Sequence, residues 1–146
     1  MQTEIKKFNQ LTTDELYELL QLRSEVFVVE QDCVYQDVDG KDQKALHIIG
    51  RVNDKIVAYT RCFAKGDYFN KASIGRVVVD LNHRKDGLGY KIMEESITAI
   101  YNHFGEQAIK VSAQTYLSSF YNSLGFISEG TSYLEDGIPH IAMVKP

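Results

Sequence analysis

Two periods of apolar and polar positions run along the chain, and the switches between them mark out its elements. Glu4 to Phe8 predicts a short first strand. Thr12-Thr13-Asp14-Glu15 has the form of a capping box, with Thr12 as N-cap and Glu15 three residues on. Leu16, Leu19, Leu20, Arg23, Val26 and Phe27 follow at helical spacing, which predicts a helix with one buried face. Polarity rises from Gln31 to Lys44, with a turn at Asp39-Gly40, and then Leu46–Val52 and Lys55–Ala64 read as a hairpin around Asn53-Asp54. Ala72 to Asp80 is the next strand. Met93, Ile97, Ile100, Tyr101 and Phe104 define a second amphipathic helix, which Gly105 is expected to end in a left-handed conformation. A strand over Ala108–Ser112, a short helix carrying Leu117, Phe120, Tyr121 and Leu124, and strands over Phe126–Gly130 and Ile138–Val144 complete the chain. Strand, helix and strand in succession form a βαβ unit, whose two strands run parallel with a right-handed crossover. With no repeat, linker or low-complexity segment, the 146 residues predict one mixed α/β domain over 1–146.

Between the strand ending at Asp80 and the second helix stands Arg84-Lys85-Asp86-Gly87-Leu88-Gly89. Gly87 and Gly89 let an anion approach the backbone, and glycine accepts positive φ at little cost. The first N–H groups of the following helix are unpaired, and the helix dipole favours negative charge there. Arg84 and Lys85 add cationic donors, with Lys91 beyond them. This chemistry suits a phosphate or pyrophosphate. Two familiar sites fail on spacing. A Walker A loop needs Gly-Lys-Ser/Thr, which is missing, and a dinucleotide fingerprint needs a third small residue where Ile92 stands.

Composition narrows the function classes further. Hydrophobic residues make up 44% of the chain, enough for a core, while a net charge of −4 without a long basic run argues against nucleic-acid binding. Against that acidic whole, the basic loop stands out locally. Two cysteines and four histidines lie at no metal-ligand spacing, which predicts free thiols in a reducing cytoplasm and no metal centre. The first residues lack the apolar core of a signal peptide, and no run approaches the ~18 apolar residues of a membrane helix.

Ile74-Gly75-Arg76-Val77-Val78-Val79-Asp80 before the loop and Phe120-Tyr121-Asn122-Ser123-Leu124-Gly125-Phe126 after it, together with the loop, resemble the GNAT superfamily of acyl-CoA-dependent N-acyltransferases. In that family a strand leads into Arg/Gln-x-x-Gly-x-Gly/Ala, which wraps the pyrophosphate of coenzyme A; Arg84, Gly87 and Gly89 fill those positions. Leu22-Arg23-Ser24-Glu25-Val26-Phe27-Val28-Val29-Glu30-Gln31 and Glu135-Asp136-Gly137-Ile138-Pro139-His140 look like its ElaA-like branch. The resemblance implies a mixed sheet with a parallel strand pair that splays near a bulge, flanked by helices. It implies a pantetheine arm paired with backbone groups of Val77, Val78 and Val79, and a phosphate loop formed by Arg84, Lys85, Gly87, Leu88 and Gly89. Gly75 is the residue expected to ease the bulge.

The activity implied is N-acyl transfer, with acetyl-CoA as co-substrate and direct attack by an amine in a ternary complex. By periodicity alone Tyr121 is a core tyrosine; the resemblance makes it the acid that protonates the departing thiolate, a role a phenol suits at neutral pH. Gln114 stands where many family members carry an asparagine that helps to hold the coenzyme. Three residues compete as general base, Glu30, His47 and His140, because a carboxylate or imidazole can take the amine proton. Glu30, Asp32, Asp37, Asp39, Glu135 and Asp136 are candidates to attract a cationic amine. The acceptor, small molecule or protein, stays open among polyamine, amino sugar, aminoglycoside, free amino acid and protein lysine, and the assembly state admits a homodimer. A noncatalytic acetyl-CoA sensor and an acyl-homoserine-lactone synthase are the rival readings.

Overall fold

The computed structural model describes residues 1–146. Its strands are β1 (Gln2–Lys7), β2 (Leu46–Val52), β3 (Lys55–Phe63), β4 (Ala72–Val79), β5 (Ile109–Gln114), β6 (Ile127–Glu135) and β7 (Ile138–Lys145). The helices are α1 (Thr13–Arg23), α2 (Leu88–Phe104) and α3 (Ser118–Ser123). The strands form one sheet in the order β1-β2-β3-β4-β5-β7-β6, antiparallel except for β4 beside β5. No helix is long and apolar enough to cross a membrane.

Local chemistry explains most boundaries. Thr12 Oγ1 accepts from the Glu15 amide at 3.1 Å, and Glu15 Oε1 accepts from the Thr12 amide at 2.9 Å, so the capping box starts α1. Asn53 and Asp54 sit at φ 51° and 64°, the left-handed pair that a two-residue hairpin between β2 and β3 requires. Gly105 ends α2 at φ 91°, but its ψ of 159° is extended, so the expected left-handed helical stop is not formed. The first helix does not run on unchanged through Val26 and Phe27: α1 gives way to a wider π-helical segment over Ser24–Glu30.

Apolar faces meet on both sides of the sheet. α2 packs Ile92, Met93, Ala99 and Ile100 against Ile48, Ala58, Ile74, Ile109 and Val111. On the opposite face, α1 packs Leu19 and Leu22, with Val26 beyond it, against Ile49, Ile56, Tyr59 and Val78. Each fully buried Leu or Ile contributes ~1.5–3 kcal/mol, so the two clusters clamp the centre of the sheet from both sides.

The parallel pair is brief. β4 and β5 pair only at Ala72 with Ile109 and Ser73 with Lys110, and then they part. On its other edge β4 carries a bulge: Tyr59 faces Val78 but Arg61 faces Gly75, one residue out of register. The distortion falls on Arg76, at φ 48°, and not on Gly75. A non-glycine residue in that region is strained, and here tertiary contacts hold it. Arg76 Nη2 donates to the Asp37 carbonyl at 3.1 Å, and Nε lies 2.7 Å from Asp37 Oδ1, off the axis of its N–H. The guanidinium also sits 5.7 Å from the Tyr35 ring centroid.

Candidate functional site

The gap between β4 and β5 opens into a cavity of about 510 Å³, within the range of small-molecule sites. Its walls come from the bulged half of β4, the end of β5, the π-helical segment, the residues around α3, and the tip of the β6–β7 hairpin. The splay leaves backbone groups without a strand partner. The Asp80 amide donates to the Val57 carbonyl at 2.7 Å, and Tyr59 is opposite Val78. Alternation along β4 therefore turns the amide groups of Val77 and Val79 toward the gap.

At one end lies the α2 N-terminus. A short 3₁₀ turn over Leu81–Asp86 leads to Gly87, which takes φ 70° and caps α2 without a side-chain hydrogen bond, leaving first-turn amides free. Gly89 lines the cavity at an ordinary φ, and a Cβ there would make only van der Waals contacts with Phe120 and Val79 at 3.7–3.8 Å. The fold therefore requires glycine at position 87 and not at position 89. Arg84 Nε donates to the Val79 carbonyl at 3.1 Å, and its Nη atoms grip both oxygens of Glu30, Nη2 to Oε1 at 2.7 Å. The Arg84 hydrogen bonds hold the Glu30 carboxyl below the usual carboxylate range. Lys85 is exposed and Leu88 is buried; like Gly87, neither lines the cavity.

Deeper in, Tyr121 is 6% exposed and still lines the cavity. Burial pushes its phenol up to about 12, so it stays a proton donor through neutral pH. Gln114, at the end of β5, accepts a long 3.5 Å contact from Gln31 across the cavity.

The opposite end contains His140 and Glu135. Nδ1 of His140 lies 2.7 Å from the Ile138 carbonyl oxygen and Nε2 lies 3.3 Å from Glu135 Oε2. His47 is elsewhere. It is fully buried and outside the cavity lining, with Nδ1 2.6 Å from the Tyr59 hydroxyl and Nε2 2.9 Å from the Asp42 carbonyl. Burial lowers its pKa; it holds β2 to β3 and has no route to an acceptor.

The six acidic candidates also separate. Asp37 and Asp39 are taken up by Arg23, Arg61 and Arg76 in a largely buried ionic cluster that includes Asp42. Asp32 is exposed and does not line the cavity. Glu30 does, but it is gripped by Arg84. Glu135 and Asp136 line the cavity with no arginine on them. Sequence reading missed Arg76 and Ser112 as cavity-lining residues. The only local sign of the bulge is the β-branched run that Gly75 and Arg76 interrupt.

Residues 8–146 match the sequence profile of the acetyltransferase (GNAT) domain. The chain is 42% identical over 139 residues to protein ElaA of Escherichia coli K12, covering 94% of this chain and 91% of that protein. The crystal structure of E. coli ElaA superposes with a TM-score of 0.92 over 99% of each chain, at 39% identity. An acyl-CoA N-acyltransferase from Pseudomonas aeruginosa gives a TM-score of 0.94 over 100% of both chains, at 38% identity. A CoA-dependent acyl-homoserine lactone synthase, solved with isopentyl-CoA, shares the fold alone, with a TM-score of 0.79 and 16% identity over 97% of this chain and 81% of that one. With a profile match over nearly its whole length and ElaA at 42% identity, the chain belongs to the acetyltransferase (GNAT) family and has an acyl-CoA N-acyltransferase fold.

Proposed function

We propose that this chain is a cytoplasmic N-acetyltransferase that moves an acetyl group from acetyl-CoA to a primary amine by direct attack in a ternary complex. The observation that carries this reading is the continuity of one cavity, which joins a cationic helix N-terminus, two unpaired strand amides, a buried phenol and a histidine–carboxylate pair. Those groups match the coenzyme from its phosphates to its sulfur, and then the amine.

The free amides at the start of α2 and the Arg84 fork bind the pyrophosphate. The backbone of Val77 and Val79 pairs with the amides of the pantetheine arm, and Gln114 steadies it from β5. Tyr121 gives its proton to the departing thiolate. Of the three base candidates, His140 is favoured, since Glu30 stands beside Arg84 at the pyrophosphate end and His47 lies outside the cavity. Cys33 and Cys62, both free thiols, suit a reducing compartment.

Two variants test this reading. Gly89→Val adds a branched side chain whose Cβ makes only van der Waals contacts with the fold where the phosphate must approach, so calorimetry should record a large loss of acetyl-CoA affinity in a folded protein. Tyr121→Phe removes only a hydroxyl, so coenzyme affinity should hold while turnover, measured as coenzyme release over a panel of amines, falls by roughly 10²–10⁴-fold. Unchanged coenzyme binding in the first variant, or unchanged turnover in the second, would sink the corresponding assignment.

A further inference from the structure

The acceptor end of the cavity is closed by the β6–β7 hairpin, and the contacts of His140 there divide its two nitrogens into separate roles. Nδ1 lies 2.7 Å from the Ile138 carbonyl oxygen, which can only accept, so Nδ1 carries a proton in every charge state. Nε2 is then the nitrogen whose proton comes and goes, and Glu135 Oε2 is 3.3 Å from it. The carboxylate is fixed from behind. Ser112 Oγ donates to Glu135 Oε1 at 3.2 Å and shares a second hydrogen bond with the Tyr133 hydroxyl. The Tyr133 ring stacks on the imidazole, 6.3 Å between centroids and 21° between planes. Thus β5 orients Glu135, and β6 holds both the carboxylate and the face of the ring.

Resting on the acetyl-transfer reading, we propose that Glu135 is the positioning residue of the amine-deprotonating group: it fixes the His140 ring and passes the proton that Nε2 receives to water. The side chain of His140 is 8% exposed and that of Glu135 is 47%, so the contact joins the cavity to solvent. The other cavity-side carboxylates are placed elsewhere: Glu30 stands with Arg84 at the opposite end, and Asp37 and Asp39 belong to the arginine cluster. The remaining titratable groups at this end are Cys33, Tyr35, Asp136 and Arg76, with Tyr121 deeper in. The Tyr35 hydroxyl donates to Asp37, and Cys33 Sγ donates to the Asp136 carbonyl, which leaves Glu135 as the partner of the ring.

The proton balance is complete. The acceptor enters as an ammonium ion and loses one proton to Nε2 of His140. The freed lone pair forms the C–N bond with the thioester carbon, and the carbonyl electrons move to oxygen. When the carbonyl re-forms, the C–S bond breaks and the sulfur takes the Tyr121 proton. The phenolate recovers a proton from the new C–N nitrogen. The products are an amide, a thiol and one proton, which leaves Nε2 through Glu135. An imidazolium beside a carboxylate is more stable than one without it.

The test uses the full chain, acetyl-CoA and an amine accepted in the panel. Glu135→Gln keeps the shape and removes the charge. Turnover at the plateau should fall about 10–100-fold, part of what general acid–base groups contribute, while the acetyl-CoA dissociation constant stays unchanged. The acid limb of kcat/KM should move to lower pH, because the imidazole now loses its proton more readily. Proton NMR titration of the His140 ring should shift in the same direction without any turnover. Ser112→Ala, which removes the hydrogen bonds to Glu135 and to the Tyr133 hydroxyl, should give a smaller shift of the same sign, and Glu135→Asp a partial return. An unmoved limb and an unmoved ring titration in folded Glu135→Gln that still binds acetyl-CoA would overturn this assignment alone. A wild-type chain that does not bind acetyl-CoA would overturn the acetyl-transfer reading and this assignment with it.

Discussion

Two arginine–carboxylate assemblies border the cavity, built from the same groups and placed at opposite extremes of burial. In the first, Arg23 and Arg61 are 0% and 1% exposed, with Asp42 between them: Oδ1 accepts from Arg23 Nη1 at 2.9 Å and from Arg61 Nη1 at 3.0 Å. Burial works against the charge on Asp42, and the two guanidiniums outweigh it, holding its pKa below the ordinary value. In the second, Arg84 and Glu30 pair at the cavity mouth with side chains 37% and 36% exposed. Removing a partner from a buried pair leaves an uncompensated charge, which costs several kcal/mol. An exposed pair is worth ~0–1 kcal/mol because water replaces either partner. The buried cluster therefore acts as scaffold, ending in the Arg76 contacts that hold the bulge open. The rim pair is weak enough to be exchanged, and a pyrophosphate offers Arg84 the same bidentate geometry as Glu30.

Breaking the buried member should have the largest effect. Asp42→Ala leaves the guanidiniums of Arg23, Arg61 and Arg76 sharing only Asp37 and Asp39, and urea unfolding should record a loss of about 3–5 kcal/mol. A loss under ~1 kcal/mol would place the cluster in the same class as the rim pair and end the comparison.

Glu15 lies between the two, with its side chain 11% exposed and bonded by Lys6 at 2.7 and 2.8 Å and by Arg51 at 2.8 Å. Burial raises its pKa, but hydrogen bonds from Lys6 and the Thr12 backbone overcome this and lower it from 4.5 to about 2. A carboxyl depressed in the folded state contributes stability that is complete above its unfolded value and is lost as pH falls through its folded one. Stability should thus decline between about pH 4.5 and pH 2, and Glu15→Gln should remove on the order of 2–3 kcal/mol at neutral pH while flattening that decline. An equally steep acid transition in the variant would assign the slope to Asp39 and Asp42, whose pKa values are also lowered.

The smallest effect belongs to the rim. Glu30→Gln should change stability by less than about 1 kcal/mol and, by releasing the Arg84 fork, tighten acetyl-CoA binding up to about fivefold. Calorimetry at low and high salt sharpens this, since screening should narrow the gap between variant and wild type. Unchanged affinity at low salt would separate Arg84 from the phosphate site.

Local reading and tertiary outcome part at identifiable places. The capping box at Thr12 and Glu15, the Asn53-Asp54 turn and the buried stripe of α2 depend on neighbours within four residues, so periodicity and turn chemistry reveal them. The stop at Gly105 is local too, yet its ψ of 159° is extended and not helical. The bulge at Arg76 has no local cause. Its strain is held by Asp37, Asp39 and Tyr35, thirty-seven or more residues earlier for the acids and the ring together. Nothing in a period-2 pattern announces an extra residue.

By itself, the sequence determined the order of elements, the parallel unit around α2, the phosphate-suited loop and the tyrosine in the α3 stripe. These follow from spacing along one backbone. Only the tertiary structure decided which charges are free. Asp37, Asp39, Glu30 and Glu135 are equivalent acids in a linear text. Folding places three of them on guanidiniums and the fourth on an imidazole at the end of a cavity. A carboxylate's role depends on which opposite charge lies within a few ångströms and how much water remains, and both are properties of packing between distant segments.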